Sequence, residues 1–225
     1  MSDLVVLERP TETIAWLTLN RPEKKNALSV ELRDQGTEVL AALADDDALR
    51  CLVVTGAGDT FSAGFDLKEF DAAAGDPAIW NALWESSDRW HQAWIGFPLP
   101  TVAAVNGPAL AGGFDVAVMC DLRVVAETAW FAHPEIGFGD VVYGPLHDLI
   151  GGSRARDLAL TGRRMDASEA FALGVANRLV PAERVVDEAR AVAEAIAAAP
   201  RDVLMRMKAK IQRRAGVLSG ATLEL

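Results

Sequence analysis

The chain has 225 residues, of which 51% are hydrophobic and 24% charged, and its 22 Lys and Arg against 32 Asp and Glu give a formal net charge of −10. This composition predicts a globular chain that buries its own core, and it excludes an intrinsically disordered one. The acidic balance argues against a nucleic-acid-binding protein, because phosphates require clustered Lys and Arg. The longest apolar stretch, 98–120, is interrupted by Asn106, Asp115 and several glycines, so no membrane span is predicted.

The two cysteines, Cys51 and Cys120, each lie in an apolar run and are expected to be buried thiols of a reducing compartment. Their positions do not match the spacing of a Cys or Cys/His metal site. The first thirty residues contain charged side chains and no long apolar core, so no signal peptide is expected. These features together predict a cytoplasmic protein.

Strand and helix signals alternate along the whole chain. Strands are predicted at 4–7, 13–19, 51–55, 101–105, 122–125, 129–132 and 178–180. The runs 122–125 and 129–132 are expected to pair with each other, and 133–145 is expected to be a loop. Helices are predicted at 29–43, 77–95, from 112 onward, at 154–160, 168–173 and 182–199, and from 200 to about 216.

No linker or shift in composition divides this pattern. The sequence therefore predicts a single α/β domain over residues 1–225, with a helical C-terminal segment from about residue 182. The tryptophans of the helix predicted at 77–95 are expected to be core residues or subunit contacts.

The first glycine-rich loop, 53–66, reads VVTGAGDTFSAGFD. It lacks the third glycine of the dinucleotide fingerprint, because Phe61 stands where that glycine would be. The letters GAGDTFSAG also resemble the signature of ribokinase-like sugar kinases, in which Asp59 would be the catalytic base. In that family the motif lies late in the chain, whereas here only 55 residues precede it.

The second loop, 106–115, reads NGPALAGGFD and joins a buried strand to a helix. Gly112 and Gly113 would leave backbone N–H groups exposed at the helix N-terminus, where the helix dipole favours an anion. The same small residues would also suit a tight crossing from strand to helix. Taken alone, the loop leaves both interpretations open.

Four segments in register resemble the crotonase, or enoyl-CoA hydratase/isomerase, family. They are LNRPEKKNALS (19–29), TGAGDTFSAGFDL (55–67), AAVNGPALAGGFD (103–115) and AHPEIGFG (132–139). The resemblance covers about residues 4–210. It implies a crotonase-like spiral of repeated strand–strand–helix units, with a truncated C-terminal helical region because the chain ends at Leu225.

The resemblance also implies an acyl-CoA thioester substrate whose enolate oxygen is held by two backbone N–H groups, those of Phe65 and Gly112. The residues that the family's motifs place near coenzyme A are Lys24, Lys25, Ala63, Gly64, Asp66 and Lys68. Coenzyme A is then part of the substrate, so no separate cofactor and no metal are expected. A homotrimer or a dimer of trimers is the assembly that the resemblance implies.

The catalytic carboxylates that the resemblance implies are Asp115 and Glu135, which lie 20 residues apart as in the family's hydratases. The family's hydratases carry Glu at the first position, whereas Asp paired with Glu occurs in some of its isomerases. The loop after Glu135 also departs from the family's pattern, and it is expected to bring Asp140, as a third acid, and Tyr143 toward the pocket.

Three functions stay open at this point. The first is an enoyl-CoA hydratase of fatty-acid metabolism that adds water in syn fashion to a 2-enoyl-CoA. The second is an enoyl-CoA isomerase that moves the double bond with a single carboxylate. The third is a weakly catalytic relative that binds acyl-CoA, and the fold alone does not choose among them.

Overall fold

The computed structural model describes residues 3–137 and 139–215, which form two β-sheets flanked by α-helices. The strands are β1 (Val5–Thr11), β2 (Ile14–Leu19), β3 (Cys51–Gly56), β4 (Thr101–Val105), β5 (Ala109–Leu110), β6 (Leu122–Ala126), β7 (Trp130–Ala132), β8 (Met165–Asp166) and β9 (Arg178–Val180). The helices are α1 (Val30–Ala44), α2 (Leu67–Ala73), α3 (Pro77–Ile95), α4 (Gly112–Met119), α5 (Gly144–Ile150), α6 (Gly152–Thr161), α7 (Ala167–Leu173), α8 (Val185–Ala197) and α9 (Arg201–Ala215). Short 3-10 helices cover Pro22–Lys24, Pro134–Gly137 and Ala182–Arg184.

The larger sheet has the strand order β1-β2-β3-β4-β6-β9, in which only β1 and β2 pair antiparallel. Its inner strands β3 and β4 are buried along their whole length, as expected for parallel strands covered on both faces. Helix α8 covers β3, β4 and β6. In the smaller sheet β5 pairs parallel to β7, and β7 pairs antiparallel to β8.

The parallel pairing of β2, β3 and β4 brings three connecting segments to one edge of the larger sheet. Leu19 pairs with Gly56 at the carboxyl ends of β2 and β3, and Thr55 pairs with Ala104 near the ends of β3 and β4. The segments that follow these strands therefore emerge side by side. Both glycine-rich loops belong to this set, and ligands commonly bind at such an edge.

Helices α1 and α3 form where their capping residues and their buried side chains predict them. The Ser29 side chain accepts a hydrogen bond from the Leu32 N–H at 3.2 Å and so caps α1. Asp76 caps α3, which begins with Pro77. The rings of Trp90 and Trp94 are 0% exposed and pack edge to face at 5.5 Å.

The tryptophans of α3 differ in burial along the helix. Trp90 and Trp94 are core residues, which confirms one of the two expected roles, whereas Trp80 at the start of α3 is 43% exposed. The helix bounds predicted at 77–95 and the strand predicted at 178–180 match α3 and β9.

The predicted pairing of 122–125 with 129–132 is wrong. The two runs form β6 and β7, but β6 lies between β4 and β9 in the larger sheet while β7 lies between β5 and β8 in the smaller one. The connection 127–129 turns the chain from one sheet into the other. The loop expected at 133–145 is also partly wrong, because a 3-10 helix forms at Pro134–Gly137 and α5 begins at Gly144. Helix α2 was not predicted.

Both cysteines are buried and unpaired, as expected. Burial raises the pKa of the Cys51 thiol and of the Cys120 thiol to about 12. Each helix formed by the described residues is too short or too polar to serve as a membrane-spanning segment.

Gly36 determines how closely α1 approaches α3, because a Cβ at this position would overlap the buried Trp90 ring. We expect Gly36→Ala to lower the free energy of unfolding by about 1–2 kcal/mol, since overpacking outweighs the gain of about 1 kcal/mol in helix propensity. Thermal and denaturant unfolding would measure the change. Glu38→Ala on the exposed face of the same helix is the control and should leave stability nearly unchanged; a more stable Gly36→Ala would contradict the packing argument.

Candidate active site

The two glycine-rich loops meet at Gly64 and Gly112. The Leu110 N–H donates to the Ser62 carbonyl at 2.9 Å, and the Leu28 N–H donates to the Gly64 carbonyl at 2.8 Å. Gly64 has a φ of +84°, and a Cβ at this position would lie 2.7 Å from the Ala111 Cβ and 3.2 Å from the Gly112 nitrogen. Only glycine therefore allows the two backbones to approach this closely.

The N–H groups of Phe65 and Gly112 lie at this junction. Phe65 directly follows Gly64, and Gly112 is the first residue of α4, so its N–H has no acceptor within the helix. Within residues 3–137 and 139–215 neither N–H group has a hydrogen-bond acceptor. Ala111 precedes α4 at φ 48° and ψ −128°, a conformation that a residue with a Cβ rarely adopts. The structure thus brings the two predicted oxyanion donors together.

Two asparagines hold the first loop against its neighbours. The Asn26 side chain donates to the carbonyls of Ala57 and Thr60, at 2.8 and 2.7 Å. The Asn106 side chain donates to the carbonyl oxygens of Gly56 and Gly58, both at 2.9 Å. These bonds pair backbone carbonyls that regular structure leaves without partners, and they fix the loop on both sides.

The predicted carboxylates Asp115 and Glu135 meet around the His133 ring. Asp115 lies in the first turn of α4 and is 5% exposed, and Glu135 lies in the 3-10 helix after β7. The Nδ1 atom of His133 lies 2.8 Å from Glu135 Oε1 and 3.7 Å from Asp115 Oδ1. A single ring nitrogen therefore contacts both carboxylates.

A second histidine, His91 on α3, approaches Asp115 from the other side. Its Nδ1 lies 2.9 Å from the Ser87 carbonyl oxygen, which can only accept, so Nδ1 carries a hydrogen. Its Nε2 lies 3.8 Å from Asp115 Oδ2. Sequence analysis missed this residue because nothing in the local pattern of α3 indicates that one buried histidine faces α4.

Several polar atoms of this cluster are buried without a hydrogen-bond partner in the described part of the chain. They are Asp115 Oδ1, Glu135 Oε2 and His133 Nε2. Since buried polar atoms are almost always paired in folded proteins, unpaired carboxylate oxygens are available to a substrate or a water molecule.

The cluster also has the spacing of a cation site, because one ligand atom from each of Asp115, His133 and Glu135 lies within 4.8 Å of the others. However, the distance of 2.8 Å from His133 Nδ1 to Glu135 Oε1 is that of a hydrogen bond, which uses the nitrogen lone pair or its proton within the protein.

The charge state of His133 follows from its surroundings. Burial alone lowers the pKa of this imidazole, but the hydrogen bond to Glu135 and the charges of Asp115 and Glu135 outweigh burial and raise the pKa above its ordinary value. The two carboxylates thus stabilise the protonated form of the ring. Its face packs on Phe114, with ring centroids 4.6 Å apart.

The guanidinium group of Arg33 packs against the face of the Phe65 ring. Arg33 is 0% exposed, and its guanidinium carbon lies 4.3 Å from the centre of the Phe65 ring. The guanidinium donates to the carbonyls of Leu28 and Leu83, and burial lowers the pKa of Arg33 to about 10. Phe65, whose N–H group is one of the two predicted donors, is therefore fixed by a buried cation–π contact.

The residues that the family's motifs place near coenzyme A lie around the first loop. Lys24, Lys25 and Lys68 are exposed. The Ala63 N–H donates to the Lys25 carbonyl at 2.9 Å and so connects the two segments. Asp66 caps α2 and forms an ion pair of 3.1 Å with Arg21, so the fold itself uses this carboxylate.

Asp140 and Tyr143 lie apart from the carboxylate pair in the contacts that the structure gives. Asp140 is exposed, and within the described residues it forms no hydrogen bond or ion pair. Tyr143 is half-buried and its ring lies 5.5 Å from that of His147 on α5. The predicted role of Asp140 as a third acid has no contact to support it.

The family model for enoyl-CoA hydratase/isomerase matches residues 9–222 of the chain. A protein of Mycobacterium tuberculosis named Probable enoyl-CoA hydratase echA8 is 38% identical over 206 residues, covering 86% of this chain and 75% of that protein. The crystal structure of enoyl-CoA hydratase from Bacillus anthracis superposes with a TM-score of 0.87 at 30% identity, covering 98% of this chain and 87% of that one. That of enoyl-CoA hydratase from Mycobacterium smegmatis superposes with a TM-score of 0.88 at 31% identity, covering 96% and 85%.

The family model spans both glycine-rich loops and the positions of both carboxylates, and the matches to the relatives cover 86–98% of the chain. The described residues fold as the solved relatives do, as the sequence resemblance predicted. The chain belongs to the enoyl-CoA hydratase/isomerase family.

Proposed function

We propose that this protein is an enoyl-CoA hydratase, which adds water across the double bond of a 2-enoyl-CoA. One arrangement carries the proposal. The carboxylates of Asp115 and Glu135 both lie near His133 Nδ1, and Asp115 lies in the first turn of α4, where the unpaired N–H groups of Phe65 and Gly112 meet. Family membership and the names of the relatives support the same reaction.

The thioester oxygen would accept hydrogen bonds from the N–H groups of Phe65 and Gly112. Attack at the β-carbon moves the electrons of the double bond toward this oxygen and produces an enolate. Fixed donors directed at developing charge contribute about 3–4 kcal/mol each when water is excluded. Backbone donors suit this role because their position depends on the loop and not on a flexible side chain.

The two carboxylates would divide the proton transfers of hydration. Asp115 takes a proton from the attacking water, and Glu135 delivers a proton to the α-carbon of the enolate. Each side chain has a buried oxygen that forms no hydrogen bond with a described residue, so this oxygen can bind water or substrate.

Double-bond isomerisation is the second candidate, and the shorter side chain of Asp115 favours it. An isomerase needs one carboxylate that removes a proton and returns it at another carbon, and Glu135 alone could do both. Asp115 has less reach toward a water molecule than the Glu that the family's hydratases carry. Substrate tests with both variants below separate the two reactions.

The remaining expectations are part of the same proposal. Coenzyme A would enter as part of the substrate, with no separate cofactor, and Lys24, Lys25 and Lys68 would attract its phosphates against the overall charge of −10. We propose that the protein assembles as a homotrimer or a dimer of trimers. We also propose that it is cytoplasmic, because both thiols are unpaired. Light scattering at micromolar concentration tests the assembly.

Gly113 tests the oxyanion site. A Cβ at this position would lie 2.5 Å from the Ser62 carbonyl oxygen, so Gly113→Ala would push the start of α4 away from the first loop. We expect turnover of crotonyl-CoA to fall by about 10²–10³, the loss typical of one misplaced oxyanion donor.

Gly137→Ala is the matched control, because a Cβ there meets no atom of the described residues within 4 Å, and it should retain turnover. Circular dichroism and thermal unfolding should show that both variants are folded. Full activity of a folded Gly113→Ala variant would refute the assignment of the oxyanion site to this junction.

Glu135 is the carboxylate on which both candidate reactions depend. Glu135→Gln keeps the size of the side chain but removes its proton transfer, so turnover of every enoyl thioester should fall by about 10²–10⁴. Asp115→Asn should abolish hydration while sparing much of any double-bond shift. Both variants are assayed with crotonyl-CoA and with a β,γ-enoyl-CoA, by the loss of conjugated thioester absorbance and by product mass.

Glu127→Gln, the same change at an exposed carboxylate between β6 and β7, is the control and should behave like wild type. Gain of one water by crotonyl-CoA identifies the hydratase, and a product of unchanged mass from the β,γ-enoyl-CoA identifies the isomerase. Binding without turnover by the wild-type protein would contradict both. Near-normal turnover by Glu135→Gln together with an inactive Asp140→Asn would move the reaction centre into the loop after Glu135.

A further inference from the structure

His133 contacts both Asp115 and Glu135, and it does so through a single atom. Its Nδ1 lies 2.8 Å from Glu135 Oε1 and 3.7 Å from Asp115 Oδ1. The first distance is a formed hydrogen bond and the second needs only a small ring movement to become one. A proton on this nitrogen can therefore be passed to either carboxylate.

We propose that His133 is a positioning residue that relays a proton from Asp115 to Glu135 in each turnover. The inference rests on the proposed hydratase function, because only hydration uses both carboxylates in one cycle. His133 acts through the two carboxylates and does not touch the reacting carbons. It would allow the site to return to its starting state without exchanging a proton with bulk water.

The surroundings of the ring permit the movement that the relay requires. Phe114 packs nearly parallel to the imidazole, at an interplanar angle of 27°, and so confines the ring plane without blocking motion within that plane. On the other side of the ring, Nε2 is buried and has no hydrogen-bond partner within 3–137 and 139–215. The ring is thus held by its contacts with the carboxylates and is not locked from behind.

The charged and titratable groups around the ring support a transferable proton. Glu135 faces it from the 3-10 helix and Asp115 from α4, while His91 on α3 contacts the second oxygen of Asp115 at 3.8 Å. The two carboxylates raise the pKa of His133 above its ordinary value despite burial. The two carboxylates therefore stabilise the protonated ring, which still carries a titratable proton that it can give up.

The proton balance of the cycle closes. An O–H bond of water breaks as Asp115 takes the proton, the hydroxyl oxygen bonds to the β-carbon, and the electron pair of the double bond moves into the thioester enolate. Glu135 receives a proton from His133 Nδ1 and transfers it to the α-carbon. Asp115 then returns its proton to His133 Nδ1. One water has been added, and all three side chains regain their starting protonation states.

The test compares His133→Gln with His133→Phe. Gln keeps an N–H donor for Glu135 but carries no transferable proton, whereas Phe keeps the packing on Phe114 and loses both. A purely structural hydrogen bond would be restored by Gln, and a relay would not. His147→Gln is the matched control, because His147 is the chain's third histidine and its side chain is 46% exposed on α5.

In steady-state hydration of crotonyl-CoA, we expect kcat of His133→Gln to fall by about 10²-fold with little change in KM. The wild-type kcat should fall as pH rises through the pKa of His133, because the relay needs the protonated ring. This alkaline decline should be missing in His133→Gln and present in His147→Gln. Wild-type kcat and an unchanged pH profile in His133→Gln would overturn the relay.

A measurement without substrate separates this inference from the proposed function. The chain has only three histidines, so ¹⁵N-detected imidazole spectra with His133→Gln and His147→Gln assign each ring. We expect the His133 ring to titrate above about 6.5, the ordinary histidine value, and titration at or below that value would overturn the relay. Absence of hydration by the wild-type protein would instead overturn the proposed function, whatever the spectra show.

Discussion

The close approach of the backbone at Gly64 to the backbone at Gly112 is the constraint on which the rest of the site depends. Parallel pairing of β3 and β4 brings the two loops to one sheet edge, but contact requires residues without side chains. A Cβ at Gly107 would overlap the Asp59 carbonyl, and one at Gly113 would lie 2.5 Å from that of Ser62. Ala111 has a positive φ at the same place, and strain of this kind costs about 1–3 kcal/mol, which the packed core must offset.

The same junction also places the acids. Helix α4 begins at Gly112, so Asp115 lies in its first turn, and its N–H donates to the Ala111 carbonyl at 3.0 Å. The Ala111 N–H donates in turn to the carbonyl of Ala132, and Leu110 pairs with Ala132 between β5 and β7. Because Glu135 follows Ala132 by three residues, one short strand pair sets the distance between the carboxylates and their distance from the oxyanion donors.

The parts of this arrangement that sequence predicted are those that local patterns determine. Caps and apolar spacing predicted α1 and α3, and the resemblance of the loop motifs to the family pointed to Asp115 and Glu135. Pairing between β6 and β7 was predicted wrongly, because a short connection between two apolar runs favours a hairpin. In the structure β7 pairs instead with β5 and β8. His91 could not be predicted, since its contact with Asp115 depends on how α3 packs against α4. His133 lies two residues before Glu135 in sequence, but only the fold shows that its Nδ1 also faces Asp115.

The choice of histidine at position 133 follows from what two carboxylates of low exposure require. A pair of negative charges with little exposure is costly unless a cation compensates it. An arginine would provide compensation, but its proton does not transfer at neutral pH, so Glu135 would stay ionised and could not act as an acid. The buried arginine of this site, Arg33, is instead directed at backbone carbonyls and the Phe65 ring. Histidine meets both demands, because the protonated ring compensates one of the two negative charges and can still release its proton to the carboxylate that needs it.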